Sequence, residues 1–179
     1  MMANFTPTPE QFLKGFSPLI QKFGMQIFPT NGLVILNEHV RFTLTWNEMS
    51  IYVMFFDLSD GFQAGVENMI FSLYPSLKSK YELIHFNDNY IENYLKYICN
   101  DIEQYCSFLI TGEKNVIYDL YKQKRRYGSK LISFLMSRNI FDLKSGWSGG
   151  PEWVILALQE LKERGIELPE ELKDSPFDV

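Results

Sequence analysis

The sequence predicts a single α+β domain with an N-terminal helix, an antiparallel β-meander and a mostly helical C-terminal half packed on one sheet face. Residues 33–57 hold three runs rich in β-branched and aromatic side chains, separated by Asn37-Glu38 and Asn47-Glu48. Residues 8–24 and 88–165 instead repeat apolar side chains at helical spacing. Because strands and helices are grouped rather than alternated, the order is typical of α+β proteins and not of parallel βαβ folds.

The N-terminal segment predicts a capped helix. Thr8 can cap it, Pro9 suits its first turn, and Gln11 completes a capping box. Pro18 is expected to kink or split the helix, and Gly24 to end it. The apolar side chains that share one face are Phe12, Phe16, Leu19, Ile20 and Phe23.

The register of the meander follows from its alternation of apolar and polar residues. A turn of even length keeps the apolar residues of both strands on one face, whereas a three-residue turn would mix the faces. The predicted pairing places Phe42 opposite Val53 and Leu44 opposite Ile51. These residues therefore define the core side of the sheet.

The second face of the meander carries Tyr52, Met54 and Phe56 and is partly apolar. We expect another part of the chain or a partner to cover it. Trp147 and Trp153, which flank a Gly-rich loop, are a second pair of partner-binding candidates because tryptophan is enriched at binding hot spots. The alternative is that Trp153 packs beneath that loop.

The chain around the meander is predicted as short pieces. Residues 25–28 form a strand before a hairpin turn at Asn31-Gly32. Residues 57–61 form a turn, residues 66–74 either a helix or a strand, and residues 81–86 an extended piece. The layout is thus residues 8–86 for the first helix and the meander, residues 87–168 for a helical part, and residues 169–179 for a tail.

The helical part is predicted from apolar stripes, and the acidic tail is expected to be half-ordered. Gly112 ends the first stripe, Pro151 opens the last helix, and Gly165 ends it. The intervening helices cover about residues 115–126 and 129–138. The inward-facing residues are predicted to be Ile91, Leu95, Cys99, Ile102, Cys106, Leu109, Val116, Ile117, Leu120, Tyr121, Leu131, Ile132, Leu135, Val154, Ala157, Leu158 and Leu161.

Composition predicts a soluble, cytoplasmic protein. The net charge of −5 argues against nucleic acid as the main partner. The longest apolar run, Ile51 to Phe56, is far shorter than the ~18 residues that a membrane span needs. No signal segment follows residues 1–4. Cys99 and Cys106 would lie about 10 Å apart on a helix, too far for a disulfide, and free thiols fit a reducing compartment.

No metal or cofactor site is predicted. The two histidines and two cysteines lack the spacing of zinc sites. Asp57 and Asp60 could chelate a hard cation, but Asp-x-x-Asp-Gly is more typical of a capped turn. The glycine motifs that cradle phosphate are absent from the sequence.

The segment Gly146-Trp147-Ser148-Gly149-Gly150-Pro151 resembles the nucleophile loop of trypsin-like serine proteases. His39 and Asp57 precede Ser148 in the order that family uses, so the resemblance implies a hydrolase with Ser148 as nucleophile. The segment also satisfies the Gly-x-Ser-x-Gly elbow of α/β-hydrolases, which needs a later histidine that this chain lacks. The surrounding helical periodicity favours a Gly-rich loop before a helix, so we expect no catalysis.

A basic cluster, Lys122, Arg125, Arg126 and Lys130, is the candidate anion-binding site. Lys122, Arg126 and Lys130 are four residues apart and would form a ridge if a helix continued through Gly128. An anion or nucleic acid could bind such a ridge. The alternative is a solvated face, which is the usual role of a charge run.

In size, charge and layout the chain is similar to small bacterial immunity proteins that neutralise toxins. In such proteins a leading helix, a short meander and trailing helices form a scaffold with an acidic face. The resemblance implies a non-catalytic protein-binding module with a basic protein partner, and an open sheet face would also suit a homodimer. A serine hydrolase using Ser148 and a nucleic-acid-associated protein using residues 122–130 are the alternatives.

Overall fold

The computed structural model of the chain describes residues 8–28, 33–46, 51–79, 90–147 and 150–177. The chain consists of two compact units, with the boundary between Asn115 and Val116. The single-domain organisation stays a prediction. Within the described ranges, no helix has the length and apolar character needed to cross a bilayer.

The first unit supplies the predicted N-terminal helix and antiparallel sheet, so the α+β class is confirmed. The described elements, with a 3-10 turn at Pro75–Leu77, are α1 (Pro9–Phe23), β1 (Gln26–Phe28), β2 (Val34–Leu36), β3 (Val40–Trp46), β4 (Ile51–Asp57), β5 (Gln63–Gly65), α2 (Val66–Leu73), α3 (Tyr90–Tyr105) and α4 (Phe108–Thr111). The strands form one sheet in chain order. The sequence left α2 open between helix and strand and did not reveal β5. The predicted Asn31-Gly32 turn and residues 81–86 lie outside the described ranges.

Helix α1 begins with the predicted capping box. The Gln11 amide donates to the Thr8 hydroxyl at 3.2 Å, and the Thr8 amide donates to the Gln11 side chain at 2.9 Å. The helix runs unbroken through Pro18, so the prediction of a split is wrong. Buried residues lie on both sides of the proline, and their packing offsets the lost hydrogen bond. Gly24 ends the helix at φ 61°, as expected.

The pairing of β3 with β4 corrects the predicted register by two residues. Phe42 lies opposite Phe55, and Leu44 lies opposite Val53. In this register all seven residues of each strand pair, whereas the predicted one would leave two residues of each strand outside the ladder. Because the shift is even, every side chain keeps its predicted face, and these four residues are all buried.

The buried face of the sheet packs against α1. The rings of Phe16 and Phe42 are fully buried, with centroids 6.1 Å apart. Burial of each ring contributes roughly 1.5–3 kcal/mol to folding. Helix α1 packs in turn on α3, where a Cβ at Gly15 would lie 2.7 Å from the Leu95 Cβ. The close approach of the two helices therefore requires glycine at position 15.

A break at Cys106 and Ser107 separates α3 from α4, where the sequence predicted one continuous helix. The stripe itself is correct, because all six of its predicted residues are buried. The break has a packing reason: Phe108, Leu109 and Ile110 are all buried, and three consecutive residues cannot share one narrow face of a straight helix.

In its described part, the second unit contains α5 (Val116–Ser137), α6 (Pro151–Glu163) and a 3-10 turn at Glu170–Leu172. Helix α5 is continuous, so the prediction of two helices meeting near Gly128 is wrong. Tyr121 and Leu131 on either side of Gly128 are both buried, so one apolar face passes through the glycine. The packing of that face offsets the propensity penalty of about 1 kcal/mol.

The inward face at the start of α5 also differs from the prediction. Val116, Ile117 and Leu120 are exposed, to 83% for Val116, whereas Tyr118 and Tyr121 are buried. The apolar pattern alone favoured the aliphatic residues. The larger tyrosine rings remove more apolar area from water, and their hydroxyls require only one polar partner each.

The C-terminal tail is packed up to Phe177, which corrects the prediction of a half-ordered segment. Leu172 and Phe177 are buried in the core of the second unit. The Tyr127 hydroxyl donates to the Leu172 carbonyl at 2.7 Å, and its ring meets the Phe177 ring edge-on at 5.8 Å. Two apolar residues therefore hold an otherwise acidic segment in place.

Candidate functional site

The open face of the sheet is the side that carries Tyr52, Met54 and Phe56. The side chain of Tyr52 is 43% exposed, and those of Met54 and Phe56 are half-buried. Their cross-strand partners in β3 are Thr45, Thr43 and Arg41, respectively. The predicted sidedness of these three candidates is therefore correct, although their role in binding stays a prediction.

Strands β1 and β2 widen the open face beyond what the sequence indicated. Phe28, Val34 and Leu36 lie on the same side of the ladder, and Phe28 is 48% exposed. The available signal was the alternation in β2, where Ile35 faces the core and its two neighbours face outward. The face thus presents apolar side chains from β1, β2 and β4.

Arg41, the one charged side chain named on this face, packs over an aromatic ring of the same face. Its guanidinium carbon lies 4.6 Å from the centroid of the Phe56 ring. A guanidinium so placed is attracted to the electron-rich ring face and covers apolar area with its stem. The aromatic character of the open face therefore extends across Arg41.

A tyrosine–carboxylate cluster, Tyr52, Glu67, Tyr90 and Tyr94, lies at the edge of β4 where β5 ends. The β4–β5 ladder stops at the pair of Met54 with Gly65, because the chain then turns into α2. The Tyr94 hydroxyl accepts a hydrogen bond from the backbone of Val53. It donates to the Glu67 Oε2 atom at 3.3 Å. Tyr94 therefore links the β4 edge to helix α2.

The remaining members complete this cluster from α3 and β4. Tyr90 precedes Tyr94 by one helical turn, and their rings stack with centroids 6.1 Å apart and planes at 24°. Tyr90 also interacts electrostatically with Glu67 and with Tyr52, the exposed residue of the open face. Elements far apart in sequence thus bring three phenol rings and one carboxyl together. No pattern in the sequence marked Glu67 or the two α3 tyrosines.

Burial shifts the ionisation of the whole cluster. Burial raises the pKa of Glu67 above its ordinary value of 4.5, and the hydrogen bond from Tyr94 opposes the shift only in part. Burial and then the Glu67 charge raise the pKa values of Tyr90 and Tyr94. Both phenols therefore stay protonated at neutral pH. Among the described residues, no lysine or arginine pairs with Glu67.

The two candidate tryptophans have different environments. Trp153 is buried at the start of α6, and its indole N–H donates to the Gly146 carbonyl. Trp147 is 39% exposed and stacks on Phe141, with ring centroids 5.8 Å apart. Trp153 thus packs beneath the described beginning of the loop, in agreement with the alternative interpretation. Trp147 is the tryptophan of the pair whose side chain is exposed.

Glu160 holds the beginning of the same loop. Its carboxylate accepts from the Lys144 amide at 2.9 Å and pairs with Arg164, which also contacts Asp142 at 2.9 Å. Burial raises the pKa of Glu160, but the Lys144 amide and the Arg164 guanidinium outweigh this and hold it below its ordinary value. The charge is matched within the unit, so this carboxylate is structural.

The basic cluster lies on the continuous helix α5, as a ridge requires. Arg125, Arg126 and Lys130 are exposed. Lys122 instead lies over the Tyr118 ring at 4.6 Å and pairs with Asp119 at 3.5 Å. The ridge therefore presents its exposed cations from the third and fourth turns of the helix.

The protease-like prediction falls largely outside the described part of the chain, because Ser148 is not among the described residues. Within the first unit, the Asp57 carboxylate accepts from the Ser59 amide at 3.0 Å and from its hydroxyl at 2.5 Å, which is the geometry of a capped turn. The His39 ring lies 3.4 Å from the Glu38 carboxylate. In the described ranges, no three His, Cys, Asp or Glu side chains are grouped to hold a metal ion.

No protein-family model matches the chain, and neither a curated protein nor a solved structure matches it. Function is therefore inferred from the chemistry of its surfaces. Among these, the open face and the adjoining tyrosine–carboxylate cluster combine exposed aromatic area with a carboxyl that lacks a described cation. Exposed aromatic residues are enriched at protein interfaces, so the open face is the candidate docking surface.

Proposed function

We propose that the protein is a non-catalytic binding module that docks a protein partner on the open face of its first unit. The observation that supports this most directly is the exposure of aromatic side chains on a regular sheet face, with Phe28 48% and Tyr52 43% exposed. Aromatic residues are enriched at protein interfaces because they bury a large area with little loss of conformational freedom.

Charge supports a basic partner. Residues 1–115 contain twelve acidic and seven basic side chains, so the first unit carries a net charge of −5. Residues 116–179 contain ten of each and are neutral overall. A negative unit attracts a basic protein and accelerates its association. Neutralisation of a basic toxin-like protein, the role of bacterial immunity-type proteins, fits this charge, and two buried free thiols fit a cytoplasmic location.

Site-directed photo-crosslinking tests the proposal. A benzoylphenylalanine at position 52 should cross-link in cells to one protein of basic composition. Position 97 is the matched control, because Tyr97 is also a tyrosine of the first unit and is 38% exposed, but lies on α3. The adduct should disappear when Phe28→Asp places a charge on the open face.

Three results would contradict the proposal. They are equal cross-linking from positions 52 and 97, adducts only between two copies of the chain, and an adduct that persists unchanged with Phe28→Asp. Adducts between two copies would instead support the homodimer that the sequence left open.

Nucleic-acid binding through residues 122–130 is the second candidate role, favoured by the continuity of α5 through Gly128. Binding would then weaken steeply with salt and disappear in the Arg125→Glu/Arg126→Glu variant. Binding that does not depend on salt would exclude it. The charge of the first unit opposes such a ligand.

A further inference from the structure

The Glu67 carboxylate is the unusual feature of the tyrosine–carboxylate cluster. Its Oε2 atom accepts from the Tyr94 hydroxyl at 3.3 Å, and no described residue donates to Oε1. A carboxylate that is partly removed from water without a cation is unfavourable. Glu92 and Glu103 on α3 differ in this respect, since Glu92 pairs with Lys14 at 3.1 Å and Glu103 pairs with Lys22 at 2.6 Å.

The rings around Glu67 suit a cation. Tyr90 stacks against Tyr94, which holds the carboxylate, and Tyr90 lies near enough to Tyr52 for the two phenols to interact electrostatically. A guanidinium or ammonium over a phenol face is attracted by the ring quadrupole. The same group within reach of a carboxylate forms a charge-assisted hydrogen bond. One cationic side chain could make both interactions here.

We propose that Glu67, Tyr90 and Tyr52 form a receptor for a single arginine or lysine side chain of the partner. This inference rests on the proposed function and adds the chemistry by which the partner is recognised. Tyr52 belongs to both surfaces, so the cation would dock at the margin of the open face. Tyr94 acts as a positioning residue, because its hydroxyl fixes the carboxylate of Glu67 against the β4 edge.

The receptor predicts selectivity for positive charge that a general apolar patch would not show. N-acetyl-arginine amide and N-acetyl-citrulline amide have nearly the same shape, but only the first is charged. Titrated into the full chain at millimolar concentration, the arginine amide should cause saturable NMR shifts at the backbone amides of Val53, Glu67 and Tyr90. The citrulline amide should cause none that saturate.

Variants assign the effect to named groups. Glu67→Gln retains an oxygen that can accept from Tyr94 but removes the charge, and it should weaken arginine amide binding about tenfold or more. Glu92→Gln removes the same charge from an acid already paired with Lys14, so it should leave binding unchanged. Tyr52→Leu removes an exposed ring without touching the core and should weaken binding severalfold.

Several outcomes would overturn the receptor. These are no saturable shift with the arginine amide, equal shifts with the citrulline amide, equal losses in Glu67→Gln and Glu92→Gln, and unchanged binding in Tyr52→Leu. The receptor and the proposed function can fail separately. If a basic partner is cross-linked but its affinity is the same for Glu67→Gln and the wild type, the proposed function is supported and the receptor is wrong. If the arginine amide binds selectively but no partner is cross-linked, the receptor is supported and the proposed function is wrong.

Discussion

Replacing Gly112 with alanine should destabilise the first unit more than the same change at Gly24. Both glycines end helices in the left-handed conformation, with φ of 70° and 61°. They differ in their surroundings. A Cβ at Gly112 would lie 2.6 Å from the Cε1 and Nδ1 atoms of His39, whereas a Cβ at Gly24 would meet nothing within 4 Å.

The magnitudes follow from these two geometries. A left-handed backbone costs a residue with a Cβ about 1–2 kcal/mol, and Gly24→Ala should lose only this amount. Gly112→Ala must also displace the His39 ring. The third contact, with the His39 Cγ at 3.0 Å, means that the whole ring has to move and not only its tip. A side chain forced off its rotamer costs roughly 0.5–1.5 kcal/mol more. The expected total for Gly112→Ala is therefore about 1.5–3.5 kcal/mol.

Urea unfolding with linear extrapolation measures these differences, provided that the slope with urea is the same in each variant. A double-mutant cycle with His39→Ala isolates the ring contact, because the extra cost of Gly112→Ala should vanish when the ring is absent. Equal losses at Gly24 and Gly112, or a Gly112→Ala cost that His39→Ala leaves unchanged, would refute the steric account.

Three further outcomes are expected. The raised pKa of Glu67 means that the folded wild type keeps this proton to a higher pH than the unfolded chain, so the wild type loses stability as pH rises from 4.5 to the folded-state pKa. Glu67→Gln lacks this proton, so its stability relative to the wild type should increase over the same pH range. Urea unfolding at several pH values tests this, and a stability difference between the two proteins that does not change with pH would contradict it. Phe177→Ala should destabilise the second unit by about 3 kcal/mol, measured by thermal unfolding, and a change near zero would show that the tail is not part of the core. Burial raises the pKa of Cys99 to about 11 and that of Cys106 to about 12. A thiol reagent at pH 8 should therefore label both thiols only as fast as the protein unfolds. Rapid labelling of the native protein would be inconsistent with their burial.

Local patterns predicted the helix and strand content well where a short-range rule applies. The capping box of α1 needs only Thr8 and Gln11, which lie within one turn of each other. The stop at Gly112 and the start of α6 at Pro151 likewise depend on backbone preferences of single residues. The sidedness of β3 and β4 followed from alternation, since an even shift in register does not move a side chain to the other face.

The errors occurred where packing over a distance decided the outcome. Whether Val116 or Tyr118 faces inward depends on which neighbour fills the space, because both fit a helical stripe. The break at Cys106 depends on three adjacent residues that are all buried, which no single helical period describes. The packed tail depends on Tyr127, whose hydroxyl and ring hold Leu172 and Phe177 from a position more than forty residues away.

The sequence by itself determined the α+β class, the two-sided meander and the position of Tyr52, Met54 and Phe56 on its outward face, because these follow from periodicity and turn chemistry. Only the tertiary structure brought Glu67, Tyr90 and Tyr94 together beside β4. Their meeting depends on where β5 ends and on how α2 and α3 pack against β4. The pKa of a carboxyl group rises when the group is removed from water and no cation lies beside it. Neither condition can be read from the residues next to it in the sequence.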